Sequence, residues 1–198
     1  MSEPIDPFDF LILKIKEYIP LNDKEMELIK DLFVAEHYSN NEVLLREGDA
    51  CRKLYFVAKG IIRFSQLTDG EDRTFVIRTE GAFCNDMDSF LNHTPSQSFI
   101  SAIGNITVLS ISYNNLQIFY NKVSLGDRFG RLAMEQNYTM VVNHLTTLYF
   151  DSPEQRYLRF TSKHRDLLQR IPQYYIASHM GVTPQTLCRI KKKILSRV

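Results

Sequence analysis

The stretch YYIASHMGVTPQTLCRIKKKILSRV, residues 174–198, decides how the rest of the chain is read. Its first half is a helical turn, IASHM, that meets Gly181. Val182-Thr183-Pro184 then opens a second helix: Thr183 suits an N-cap, and Pro184 suits the first helical position, where its missing N–H is no loss. Helices joined by so short a turn cross steeply, and the crossing needs a small residue at the contact. Ala177 is that residue, and Gly181 provides a turn position with positive φ at no steric cost. Leu187, Ile190 and Ile194 recur at helical spacing and face inward. Ala, Gly four residues on, and Leu six beyond that is the spacing of a helix-turn-helix.

The opposite face of the second helix carries Gln185, Cys188, Arg189 and Lys192, at i, i+3, i+4 and i+7, hence on one side. Gln can pair bidentately with adenine and Arg with guanine in a major groove. Lys191, Lys193 and Arg197 flank that face and suit phosphates. So do Thr183, Thr186 and the free N–H groups at the helix start. The plain alternative is a solvated helix whose basic residues favour the negative end of its dipole.

Charge separates this end from the remainder. Residues 151–198 hold ten Lys/Arg against three Asp/Glu, giving +7, and residues 1–150 hold fourteen against twenty, giving −6. The net charge of +1 conceals that division, which points to an anionic partner for the C-terminal unit. The length of 198 residues suits one or two domains with a real core. No apolar run reaches membrane-spanning length. The N-terminus is acidic before its apolar patch and lacks the basic region and cleavage site of a signal peptide, so the expected location is cytoplasmic. Cys51, Cys84 and Cys188 stand far apart, and the five histidines form no pair at metal-ligand spacing. Neither a disulfide framework nor a metal site is expected, and no cofactor.

Upstream, residues 8–36 read as helical, with Leu11, Ile12, Ile15 and Ile19 in phase, a stop at Pro20, and a capping box from Asn22 to Glu25. From Asn41 to Ser112, short Val/Ile/Phe/Tyr-rich runs alternate with Gly48, Gly60, Gly70, Gly81 and Gly104. Asp69-Gly70 and Gly104-Asn105 read as hairpins, and the whole as an antiparallel sandwich or barrel. A helix follows over 113–121 and a longer one over about 125–150. Met134, Tyr138, Val141, Leu145 and Leu148 are spaced 4, 3, 4, 3 within it. That seam fits either a helix lying along its twin in a second copy or one packed on its own domain. Ser152, Pro153 and Gln155 then cap a new helix at the domain boundary.

Taken with these motifs, the chain resembles the CRP/FNR family of bacterial transcription regulators. EGDACRKLYFVAKGIIRFSQLTDGEDRTFVI (47–77) is similar to the family's central β-roll, and YIASHMGVTPQTLCRIKKKI (175–194) to its DNA-binding signature. The resemblance implies an α+β fold: an N-terminal antiparallel β-roll of the double-stranded jelly-roll type flanked by helices (1–122), a long dimerisation helix (123–150) and a C-terminal winged-helix-like helix-turn-helix domain (151–198). It implies a homodimeric, cytoplasmic regulator that binds specific double-stranded DNA, with RNA polymerase and a small-molecule effector as further partners, and no enzymatic activity. Gln185 and Arg189 match the positions that read base edges. Pro184 replaces a residue that often contacts DNA. Residues 169–173 leave little room for the β-wing that often precedes the motif.

In the family's cyclic-nucleotide binders, the pocket segment carries Gly-Glu for the ribose and, further on, Arg-Ser for the cyclic phosphate. Here FCNDMDSFLNHTPSQSFISA (83–102) has Asn85-Asp86 and Gln97-Ser98 at those places. Phe83, Asn85, Asp86, Gln97 and Ser98 are the candidate effector residues. Gln97 cannot neutralise a phosphate, so cyclic-nucleotide binding is expected to be weak. Cys84, in the same segment, reads as a buried thiol. The competing reading is a ligand-binding regulatory module that acts without DNA. A cupin-like enzyme would need several histidines converging from the strands, and only His93 lies in that region.

Overall fold

The computed structural model describes residues 5–196. Helix α1 (Pro7–Lys16) starts on Asp6, whose carboxylate accepts from the N–H groups of Phe8 and Asp9, and ends before Pro20. Helix α2 (Asp23–Leu32) opens on the expected capping box. Glu25 N–H donates to Asn22 Oδ1 and Asn22 N–H to Glu25 Oε2, both at 3.0 Å. The second oxygen of Glu25 accepts from the N–H and hydroxyl of Ser124, at 2.8 and 2.6 Å, tying α2 to a chain segment far along the sequence. The Ser124 hydroxyl and the Asn22 N–H hold the Glu25 carboxyl below its ordinary range. A depressed carboxylate stabilises the fold above its unfolded pKa, and that contribution is lost as pH falls through the folded value. Glu25→Ala is expected to cost about 2 kcal/mol and lower Tm by about 4–8 °C at neutral pH, with the gap to wild type narrowing below about pH 4 in calorimetry.

Residues after Leu32 are not helical, contrary to the reading of 8–36. Strand β1 (Val34–Tyr38) pairs antiparallel with β6 (Phe99–Ser112), Val34 opposite Ser110 and Tyr38 opposite Ile106. Pairing with a strand some seventy residues away overrides local preference here. Strand β2 (Val43–Leu45) also pairs β6, with a register shift. Strand β3 (Lys53–Thr68) and β4 (Glu71–Arg78) are joined at Asp69-Gly70, both with positive φ (54° and 78°), as a two-residue hairpin of the primed type requires. Strand β5 (Phe83–Cys84) pairs β3, and the sheet runs β1-β6-β3-β4 with β2 on β6 and β5 on β3.

Gly104 is not in a hairpin. It lies within β6 at φ 74°, its N–H donating to Asn40 Oδ1 at 2.8 Å. Gly60 likewise lies within β3 rather than between two strands, at φ 96°, where an added Cβ would sit 2.6 Å from Ile106 Cγ2. Both glycines bend long strands instead of ending short ones. The roll encloses Phe56, Val57, Ile61, Ile62, Ile100, Val108, Leu109 and Ile111, all buried.

Helix α3 (Met87–Asn92) sits between β5 and β6, and α4 (Tyr113–Lys122) follows β6 from a Ser112 cap. Helix α5 (Gly126–Phe150) is the long one; α6 (Pro153–Lys163) opens on the Ser152–Gln155 capping box. Arg156 of α6 donates to the carbonyl oxygens of Leu148 and Asp151, at 3.0 and 3.1 Å, satisfying acceptors at the end of α5. Short α7 (Leu167–Arg170), α8 (Gln173–His179) and α9 (Pro184–Leu195) complete the chain. No strand forms among the described residues 151–196; residues 169–173 hold the end of α7 and the link into α8. No helix among the described residues is long and apolar enough to cross a membrane. The chain divides into two compact units, Met1–Phe64 with Arg78–Gln136, and Ser65–Ile77 with Asn137–Val198.

Candidate nucleic-acid interface

Helix α8 buries Tyr175, Ile176 and Ala177, the last completely, as a close helix crossing demands. It ends on a Schellman turn. Val182 N–H donates to the Ala177 carbonyl at 3.0 Å and Gly181 N–H to that of Ser178 at 2.9 Å, with Gly181 at φ 66°. Glycine, with no Cβ, takes that φ at no steric cost. Helix α9 then starts as read: Thr183 Oγ1 accepts the Thr186 N–H at 3.2 Å, and Pro184 occupies the first turn.

Burial sorts the faces of α9. Leu187 and Ile190 are buried and Ile194 is half-buried. Gln185, Cys188, Arg189 and Lys192 are all exposed, so the four lie together on the opposite side. Arg189 Nη2 rests 3.4 Å from the half-buried Thr186 hydroxyl. Thr183 is exposed and Lys191 half-buried. Lys193 is exposed but its ammonium pairs with Glu154 of α6 at 2.7 Å, so a phosphate would have to compete for it. Arg197 lies outside the described residues. No acidic residue sits in the first turn of α9, leaving the positive end of its dipole open to an anion.

Along α5, Met134, Tyr138, Val141 and Leu145 are exposed and Leu148 is half-buried. Tyr138 shows 71% of its surface to solvent, an unusual exposure for an aromatic residue within a regular apolar seam. Tyr149 and Phe150 extend the exposed surface.

The effector candidates come out differently. Phe83 is packed between Phe56 and Phe129, at 5.0 and 5.4 Å between ring centroids, so its ring belongs to the roll's aromatic core. Asp86 caps α3: one oxygen accepts the Ser89 N–H at 3.2 Å and the other the Ser96 hydroxyl at 2.5 Å. Gln97 is exposed and Ser98 half-buried. The Asn85 Nδ2 is buried and has no hydrogen-bond partner among the described residues. The same roll carries two arginines that the sequence reading passed over. Arg63 is buried, its Nε donating to Ser101 Oγ at 3.1 Å, and burial pushes the Arg78 guanidinium down from its ordinary pKa. A charged residue at an inward place in IIRFS (61–65) was the available signal. Burial pushes the Cys84 thiol up to about 12 against the opposing pull of Arg78, and raises Cys51 too, so neither is a ready nucleophile. Among the described residues, no group of three His, Cys, Asp or Glu side chains is placed to hold a metal ion.

Residues 35–123 match the family model of the cyclic nucleotide-binding domain. No curated protein matches the sequence. Among solved structures, FixK2 from Bradyrhizobium japonicum is similar at TM-score 0.72 and 14% identity, over 83% of this chain and 85% of that one. The c-di-GMP responsive global regulator CLP of Xanthomonas campestris aligns at TM-score 0.68 and 18% identity, over 89% and 93%. A protein from Eubacterium rectale assigned to the CRP/FNR family aligns at TM-score 0.69 and 17% identity, over 91% and 88%. At such identities the likeness is one of fold, and the fold is that of these regulators.

Proposed function

We propose that this chain, with the fold of the CRP/FNR transcription regulators, is itself a homodimeric, cytoplasmic regulator that binds specific double-stranded DNA. One observation carries the reading: Gln185, Cys188, Arg189 and Lys192 stand exposed along one face of a capped helix whose other face is buried. Gln185 and Arg189 read base edges; Thr183, Thr186, Lys191, Lys192 and Lys193 hold phosphates. Residues 123–150 form the dimerisation helix through Met134, Tyr138, Val141, Leu145 and Leu148, residues 1–122 the effector domain, and residues 151–198 the DNA-binding domain, with RNA polymerase as a further partner.

Selection of bound duplexes from a random pool, at fixed salt, tests this. The expected result is a near-palindromic site with half-sites about 34 Å apart, one helical turn. With six phosphates neutralised by a dimer, log K should fall against log salt with a slope of about −5, or about 10³-fold between 50 and 200 mM. Recovery of no enriched sequence would remove the reading.

The effector domain takes cyclic nucleotides weakly. Asp86 spends both oxygens within the protein, and Gln97 is neutral and exposed. The second reading, a ligand-binding module acting without DNA, draws on the family match over 35–123 and on the unpartnered Asn85 amide. Calorimetry with small ligands beside the duplex selection separates the two.

A further inference from the structure

The inference rests on the reading of α9 as a DNA-contacting helix and concerns what restrains that helix. The outer part of the β3–β4 hairpin, Ser65–Ile77, belongs to the same compact unit as the helix-turn-helix. The Thr74 N–H donates to Ser178 Oγ at 2.8 Å. His179 Nδ1 lies 3.1 Å from the Phe75 carbonyl oxygen. A carbonyl only accepts, so that nitrogen carries the hydrogen. The His179 ring is stacked on His144 of α5, with centroids 4.7 Å apart and planes 7° from parallel, and meets the Phe160 ring edge-on at 6.0 Å. Ser178 and His179 end α8, the first helix of the helix-turn-helix, just before Gly181.

The turn of this hairpin and the start of β4, Asp69-Gly70-Glu71-Asp72, hold three exposed carboxylates in four residues. Arg73, bonded to Glu71 at 3.3 Å, is the one basic residue of segment 65–77, which therefore carries a formal charge of −2. The first helix of a helix-turn-helix crosses the phosphate backbone. An acidic turn fastened at its end presents like charge to those phosphates.

We propose that the β3–β4 hairpin is an acidic clasp on the helix-turn-helix: docked on Ser178 and His179 it lowers affinity for duplex DNA, and its release raises it. Strand β4 runs on from the clasp into Arg78 and the segment leading to β5, so an effector that moves this part of the roll pulls on the clasp through the chain itself.

The test uses the full chain and a labelled duplex of random sequence. The triple variant Asp69→Asn, Glu71→Gln, Asp72→Asn is expected to bind about tenfold more tightly than wild type at about 50 mM salt, with the gain vanishing as salt rises. Ser178→Ala, which removes the acceptor of the Thr74 N–H, should speed exchange of that amide and tighten duplex binding as well. Unchanged or weaker binding by either variant, while wild type binds, overturns the clasp and leaves the DNA reading standing. Tighter binding by the triple variant with Thr74 exchange unaltered in Ser178→Ala reduces the effect to net charge and also overturns it. Absence of duplex binding by wild type and triple variant alike removes the DNA reading and the clasp with it.

Discussion

Replacing Gln185 and Arg189 together by alanine is expected to lower affinity for the selected site by about 10³-fold or more while leaving binding to random duplex within about threefold. Each bidentate pairing to a base edge discriminates by about 1–3 kcal/mol, and a dimer makes each pairing twice. Four lost pairings thus remove a large part of the gap between specific and non-specific binding. Non-specific binding lives on the lysines and the helix start, which the double variant keeps. Both side chains are exposed and Leu187 and Ile190 beneath them are untouched, so the fold should survive with an unchanged melting temperature. Titration of the selected duplex and of a scrambled one, at the same salt, gives both numbers. A double variant that still prefers the selected duplex shows that another face does the reading.

Leu145→Asp is the second large effect. Leu145 is exposed in the single chain, and the change costs that chain little. In the proposed dimer it sits mid-seam between Val141 and Leu148, where the two-fold axis sets the two new carboxylates near each other in an apolar contact. Desolvating such unpaired charges costs about 4 kcal/mol, which raises the dimer dissociation constant about 10³-fold. Sedimentation velocity should show monomers at micromolar concentration where wild type is dimeric. Affinity for the two-half-site duplex should collapse toward that for a single half-site. A variant that remains dimeric would return this seam to packing within its own domain.

The parts of this architecture written in short-range chemistry could be read before any coordinates. The Asn22–Glu25 and Ser152–Gln155 capping boxes and the Thr183-Pro184 start each involve groups at most three residues apart, and all three form. The outward face of α9 follows from helical period alone. Strand β1 was hidden because VAEHY (34–38) earns its conformation only from β6, far along the chain. Gly60 and Gly104 misled for a different reason: positive φ serves a hairpin and a bent strand equally, and only the partner strand decides between them. Asp86 looked like a ligand acceptor because no pattern reveals that Ser89 and Ser96 consume its oxygens. The fastening of the hairpin to α8 uses a backbone N–H and a backbone carbonyl, which every residue but proline possesses, so no motif could have announced it.

The guanidinium of Arg156 has a mechanical consequence. By holding the last turn of α5 and the residue that follows it, it leaves the elbow between α5 and α6 without slack. A roll of the long helix about its own axis carries α6 along, and α9 with it, since α6 and α9 pack against each other. In the proposed dimer, two reading heads mounted on such elbows keep a constant pitch, so half-sites one base pair too close or too far should be refused rather than stretched to fit.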